Sequence, residues 1–246
     1  MDRGGSAHQP HRILERVQEN PKTVSLVLEG SLACSPGQFA MLWLPGIDEK
    51  PFSIAGNDPL MFTVSRVGTF SAALQALCPG ETLWVRGPFG RGFTLAPGNT
   101  LLVGGGYGAA PLAFLAAALR TACPRAKVEA ALGARTSVDL LFVRQFDALG
   151  VAVQLATEDG TRGSAGLVTE IVASRLATEE FSRVRACGPE AMLEAVAELS
   201  RGAGVDAELS FEAYMRCGVG LCGACEHRGR LMCLDGPVLM MAHDGS

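Results

Sequence analysis

The hydrophobic pattern changes period once along the chain, near Pro97 to Asn99, and that change limits the folds open to it. Before it, short apolar runs separated by turn residues recur at Ile13 to Val17, Val24 to Leu28, Phe39 to Leu44, Phe52 to Ala55, Met61 to Val67 and Thr82 to Val85. Strands of this length and spacing predict a small antiparallel β-barrel. A short helix over Ser71 to Leu77 interrupts them and is ended by Cys78-Pro79-Gly80. After the change, apolar strands alternate with helical segments. The strands are Leu101 to Val103, Val128 to Leu132, Val151 to Ala156, Val184 to Cys187 and Asp206 to Phe211. The helices are Pro111 to Thr121, Asp139 to Leu149, Leu167 to Leu176 and Glu190 to Arg201. Alternation of this kind predicts a parallel sheet with helices on both faces. The fold class is therefore multi-domain, β followed by α/β.

Composition sets the outer limits. With 246 residues and 48% hydrophobic content, two domains of ordinary size are each given a core. The net charge of -4, from 21 basic and 25 acidic residues interspersed, lacks the concentrated positive field of a polynucleotide binder, so no nucleic acid is expected. No apolar run reaches membrane-spanning length, and Met1 to Arg12 is polar where a secretory signal would be apolar. The expectations are a cytoplasmic protein with no membrane contact and with roughly the first ten residues disordered.

Cys34, Cys78, Cys123 and Cys187 are scattered, whereas Cys217, Cys222, Cys225 and Cys233 fall in one segment. Their spacing, C-x4-C-x2-C with a fourth cysteine after seven more residues, is that of a plant-type [2Fe–2S] centre. Gly218, Gly220 and Gly223 would keep side chains away from the cluster and its backbone N–H contacts. The alternative is structural zinc, which prefers paired C-x2-C knuckles, of which only one is present.

Two segments point to a nucleotide. The glycine-rich run from Val103 to Leu112, including Gly105 and Gly106, follows a buried strand and opens a helix, where a pyrophosphate can meet backbone N–H groups at the positive helix end. Cys187-Gly188-Pro189-Glu190 stands at the end of a later strand, where a thiol would lie beside a nicotinamide ring and Gly188 would leave room for it. The alternative is a buried cysteine before a helix-starting proline. Glu158 and Asp159, at another strand end, can accept hydrogen bonds from a ribose 2′-hydroxyl and repel a 2′-phosphate, favouring NAD over NADP. Arg135 and Arg162 would reverse that preference if they converged there.

On these residues the chain resembles a known family. Lys50-Pro51-Phe52-Ser53-Ile54 is similar to the Arg-x-(Tyr/Phe)-Ser signature of ferredoxin reductase-like flavoproteins, and Val67-Gly68-Thr69-Phe70-Ser71 to their second flavin-phosphate segment. Gly87-Pro88-Phe89-Gly90, the glycine-rich turn and Cys-Gly-Pro follow in matching order. With Glu212 to Cys222, the chain after its first ten residues resembles the electron-transfer subunits of dihydroorotate dehydrogenase B.

The resemblance implies an FAD-binding barrel over 11–97, an NAD-binding α/β domain over 98–209, a [2Fe–2S] domain over 210–246, and a separate FMN-containing catalytic subunit, in a heterotetramer. It implies that Lys50 stands for the usual arginine beside the flavin phosphates, keeping the charge without the planar fork. It also places Pro51, Phe52, Ser53 and Ile54 along the flavin and Val67, Gly68 and Ser71 at its pyrophosphate. Phe70 stands where relatives often have glycine.

In that family electrons pass from the partner's FMN through the [2Fe–2S] cluster and FAD to NAD+. The hydride step needs no acid–base residue. The histidines, His8, His11, His227 and His243, all lie outside the predicted nucleotide domain, and His227 reads as a solvent-facing loop residue. Met215 either packs under the cluster loop or lines a docking surface. A base for dihydroorotate must then sit on the partner. Two other readings stay open: a small subunit of an NAD(P)H-linked ferredoxin or sulfide oxidoreductase, and a zinc-containing NAD-binding redox regulator.

Overall fold

A computed structural model describes residues 7–243. The first strands close on themselves. β1 (Gln9–Asn20), β2 (Thr23–Leu28), β3 (Phe39–Leu44), β4 (Asp48–Gly56), β5 (Leu60–Ser65) and β6 (Thr82–Phe89) form an antiparallel barrel in the order β1-β2-β5-β4-β3-β6, with β6 pairing back onto β1. β5 shows why: Leu60, Phe62 and Val64 point inward and are fully buried, while the residues between them are half-exposed. Leu26, Leu42, Ile54 and Leu83 complete an interior in which each aliphatic side chain contributes about 1.5–3 kcal/mol. Helix α1 (Thr69–Ala76) plugs in through Phe70 and Leu74.

The second half alternates as the period change predicts. β7 (Thr100–Gly105), α2 (Ala109–Ala122), β8 (Val128–Ala134), α3 (Val143–Ala148), β9 (Ala152–Thr157), β10 (Ser164–Ala165), α4 (Val168–Thr178), β11 (Arg183–Cys187), α5 (Glu190–Gly202) and β12 (Ala207–Ser210) follow in turn. After the cysteine segment, whose short strands β13 (Glu226–His227) and β14 (Arg230–Leu231) pair as a hairpin, β15 (Val238–Met241) adds antiparallel to β12. The sheet order is β10-β9-β8-β7-β11-β12-β15, with helix α2 packed on α3 and α4 on α5. Among the described residues no helix is long and apolar enough to cross a membrane.

A buried ion pair ties the sheet to the segment before β7. Arg185 and Glu208, 1% and 2% exposed, meet at 2.8 Å, and the guanidinium also donates to Thr100 Oγ1 and to the Thr94 carbonyl. The Thr94 N–H donates back to Glu208.

Several expectations need correction. β1 begins at Gln9, so Gln9 and Pro10 are ordered strand; residues 1–6, also expected to be disordered, lie outside the described residues. The helix expected over Asp139 to Leu149 is broken: Phe142 has φ +62°, a conformation no helix interior accepts, and α3 starts only at Val143. By contacts the described residues divide into 7–92 with Ala213–Pro237, and Phe93–Glu212 with 238–243. The cysteine segment thus belongs with the barrel, and the last strand with the sheet. His243 accordingly falls in the nucleotide unit, where its ring Nδ1 lies 2.9 Å from Asp206 Oδ1.

Candidate cofactor sites

The cysteine loop turns through Gly218, Gly220 and Gly223, at φ +72°, +79° and +70°, values that side chains other than glycine rarely adopt. These turns aim backbone N–H groups at sulfur. Val219 and Leu221 donate to Cys217 Sγ at 3.5 and 3.4 Å, Gly220 to Cys233 Sγ at 3.2 Å, and Cys233 to Cys225 Sγ at 3.4 Å. The thiols come as two pairs, Cys217 with Cys222 and Cys225 with Cys233. Burial works against ionisation of Cys217, but the N–H groups of Val219, Cys222 and Leu221 outweigh it and bring the thiol down to about 6. Burial and the adjacent Cys225 push Cys233 up to about 12. Neighbouring thiolates repel unless a cation lies between them, and two thiol pairs match a centre of two irons, each taking two thiolates. Among the described residues, no three His, Cys, Asp or Glu converge to grip a single ion. The residues present fit a [2Fe–2S] centre.

The glycines have a second purpose that differs from the expected one. A Cβ on Gly218 would stand 3.3 Å from Phe89, and one on Gly220 would run into Leu234. Their absent side chains make room for the protein's own packing, and only Gly223 faces open space. Met215 is buried, which makes it packing rather than docking surface, and His227 is half-buried in β13 rather than free in a loop. Sequence reasoning missed Arg86, whose Nη1 donates to the Cys217 carbonyl at 2.8 Å; nothing in its local sequence marks it.

The two flavin-like segments meet on the barrel. Phe52 on β4 and Phe70 on α1 stand 6.2 Å apart. Lys50 pairs with Asp48 at 2.8 Å and lies 5.6 Å from the Tyr214 ring centre, its ammonium held in the charged form above all by Asp48. Pro51 and Ser53 are half-buried. Ile54 differs from expectation: its side chain is wholly inside the barrel, so only its backbone is available to a flavin. Val67 is 84% exposed. Ser71 Oγ accepts the N–H groups of Val67 and Gly68 at 2.9 and 3.0 Å and donates to the Gly68 carbonyl, so this hydroxyl builds the turn that presents the start of α1.

In the other unit, two glycine turns lie against each other at the C-terminal edge of the sheet. A Cβ on Gly105 would come 2.7 Å from Pro189, and one on Gly108 would strike the Cys187 carbonyl. A Cβ on Gly188 would meet Met192 and the backbone of Gly105, so this glycine serves close approach of the turns. Gly106 faces open space with φ +53°. Cys187 is buried, its thiol hydrogen-bonded to Ser210 and pushed up to about 12 by burial. Burial and the nearby Glu212 carboxylate hold the Tyr107 hydroxyl in its neutral form, and Glu212 is a residue the sequence left without a role at this edge. Glu158 and Asp159 are exposed, as are Arg135 and Arg162. Asp159 accepts the Thr161 N–H and hydroxyl at 3.1 and 2.7 Å, which hold its carboxyl below the usual range.

With this geometry in view, comparison with known proteins is direct. Residues 102–198 match the oxidoreductase NAD-binding domain, and 212–243 match the iron-sulfur cluster binding domain of dihydroorotate dehydrogenase B. A solved structure described as an NADH-dependent reduced ferredoxin-NADP oxidoreductase superposes with TM-score 0.84 at 29% identity, covering 96% of this chain and 89% of that one. A ferredoxin NADP+ reductase from Neisseria gonorrhoeae superposes with TM-score 0.69 at 17% identity, covering 83% of this chain and 99% of the other, a likeness of fold alone. Barrel, parallel sheet and cysteine loop define an iron–sulfur oxidoreductase of the ferredoxin reductase-like class.

The relatives narrow the class. A Methanocaldococcus jannaschii protein named "Probable dihydroorotate dehydrogenase B (NAD(+)), electron transfer subunit" is 38% identical over 92% of this chain and 87% of its own length. A Thermococcus kodakarensis protein of the same name is 43% identical over 83% and 84%. The chain belongs to the family of dihydroorotate dehydrogenase B electron transfer subunits.

Proposed function

We propose that this chain is the electron-transfer subunit of a dihydroorotate dehydrogenase B type complex, acting between the FMN of a catalytic partner and NAD+ in pyrimidine biosynthesis. The observation that carries the reading is the cysteine loop: two thiol pairs receiving backbone N–H groups in a chain with an NAD-binding sheet. Cys217, Cys222, Cys225 and Cys233 hold the cluster. Lys50, Pro51, Phe52, Ser53 and the Ile54 backbone, with Val67, Gly68 and the Ser71 turn, hold FAD. Gly105, Gly106, Gly188 and Pro189 shape the NAD turn, with Glu158 and Asp159 toward the ribose. Functionally, 11–97, 98–209 and 210–246 serve flavin, nucleotide and cluster.

When bound, the flavin converts two-electron hydride exchange into the single-electron transfers that an iron–sulfur centre accepts. The chain's residues bind and orient. Cys187 acts as a neutral thiol held by Ser210, and no proton need move to or from it. Deprotonation of dihydroorotate falls to the partner subunit. We place the complex in the cytoplasm as a heterotetramer.

The test is coexpression with the FMN subunit and assay of dihydroorotate-dependent NAD+ reduction. The complex should turn over, and this chain alone should reduce only artificial acceptors with NADH. In Cys222→Ser, NADH should still bleach the flavin while coupled turnover fails; full turnover in that variant would overturn the reading. The likeness to the ferredoxin-NADP oxidoreductase structure favours a second reading, a small subunit of an NAD(P)H-linked ferredoxin oxidoreductase. Co-purification with a large flavoprotein carrying [4Fe–4S] clusters, in place of an FMN subunit, would establish that reading.

A further inference from the structure

The barrel wall beneath the cysteine loop carries a charge pair aimed at the loop's first ligand. Arg86 on β6 is long enough to cross to β4, where its Nε and Nη2 grip the two oxygens of Glu49 at 2.6 and 3.0 Å. Its remaining arm, Nη1, donates to the Cys217 carbonyl at 2.8 Å. The guanidinium also lies 5.2 Å from the centre of the Phe89 ring, and Phe89 is the side chain that a Cβ on Gly218 would meet. One cation therefore fixes both the carbonyl of Cys217 and the aromatic surface under the next residue. Glu49 has a second partner, His8 Nε2 at 2.7 Å.

We infer that Arg86 and Glu49 position the Cys217 end of the cluster loop and, with opposite signs, set the electron affinity of the centre held there. The inference rests on the cluster reading above. Both side chains are largely removed from solvent, 10% and 22% exposed, so their fields are weakly screened. Taking up an electron adds negative charge at the centre, which a neighbouring cation favours and a neighbouring carboxylate opposes. Paired, the two largely cancel. Removing either one uncovers the other. A clamp with a purely structural role would respond to both substitutions in the same sense, whereas a charge role requires opposite senses. The planar fork matters separately, because only a guanidinium reaches two carboxylate oxygens and a carbonyl together.

The experiment is a potentiometric titration of the full chain, followed by electron paramagnetic resonance of the reduced centre, at one fixed pH so that His8 does not vary. Arg86→Gln should shift the midpoint to more negative potential, Glu49→Gln to more positive potential, and the double variant should return toward the wild type. Arg86→Lys keeps the charge but loses the fork. Its midpoint should stay near wild type while a chelator strips its iron several-fold faster. Singles that shift the same way, or not at all, overturn the inference. If Arg86→Gln retains no iron, the sign of the Glu49→Gln shift decides alone. Wild-type protein without iron and sulfide would defeat the cluster reading and this inference with it; a normal cluster with unmoved potentials defeats this inference only.

Discussion

A Cβ on Gly188 would stand 3.0 Å from the Cα of Gly105, so the turns after β11 and β7 touch backbone to backbone. Gly188→Ala must push them apart, because the obstruction on that side is main chain and only Met192 on the other can yield. Overpacking of this kind costs about 1–3 kcal/mol. The variant should show a lowered Tm and a raised KM for NADH, measured by thermal unfolding and diaphorase kinetics. Wild-type values of both would refute the packing argument.

The Arg185–Glu208 pair makes a larger prediction. Arg185→Met leaves Glu208, 2% exposed, without its main partner, a change worth about 3–5 kcal/mol. Urea unfolding should show that loss. A loss under about 1 kcal/mol would place the pair among weakly contributing surface bridges.

Ser71 tests a division of labour. Ser71→Ala removes the acceptor for the Val67 and Gly68 N–H groups, at about 0.5–1.5 kcal/mol for each bond lost. If that turn presents flavin phosphate, FAD fluorescence should report faster flavin release in the variant at temperatures where it stays folded. Unchanged release with lowered Tm would confine Ser71 to the turn.

Cys187 should be chemically quiet. Its folded thiol is raised from 9.0 to about 12 by burial, so its contribution to stability is full below about pH 9 and is lost as pH climbs toward 12. Alkylation followed by mass spectrometry at about pH 8.5 should label exposed Cys78 well before Cys187. Early labelling of Cys187 would contradict the buried, neutral thiol.

Much of the barrel was legible because strands such as Leu60–Ser65 alternate inward and outward, and the turn residues between them are explicit. β1 was longer than its apolar run because Gln9 to Arg12 pairs with β6 while largely facing solvent, so no hydrophobic signal marks it. β15 was absorbed into the cysteine segment, since four residues join a sheet only through pairing with β12 distant in sequence. The cysteine loop could be read from spacing alone, and 212–243 match an iron-sulfur cluster binding domain. The partners that hold the loop could not be read: Arg86 reaches Cys217 across 131 positions, and Glu212 meets Tyr107 only because the sheet brings their strand ends together. The packing of Gly188 against Gly105 and Met192 could not be read either, because a sequence shows a missing side chain without showing what stands beside it.

The most direct test of the account is analysis of untagged protein isolated without oxygen. Iron and acid-labile sulfide should be present in equal amounts, with FAD, and the visible spectrum should carry both chromophores and bleach on addition of NADH. Zinc in place of iron, or a colourless protein free of flavin, would contradict it.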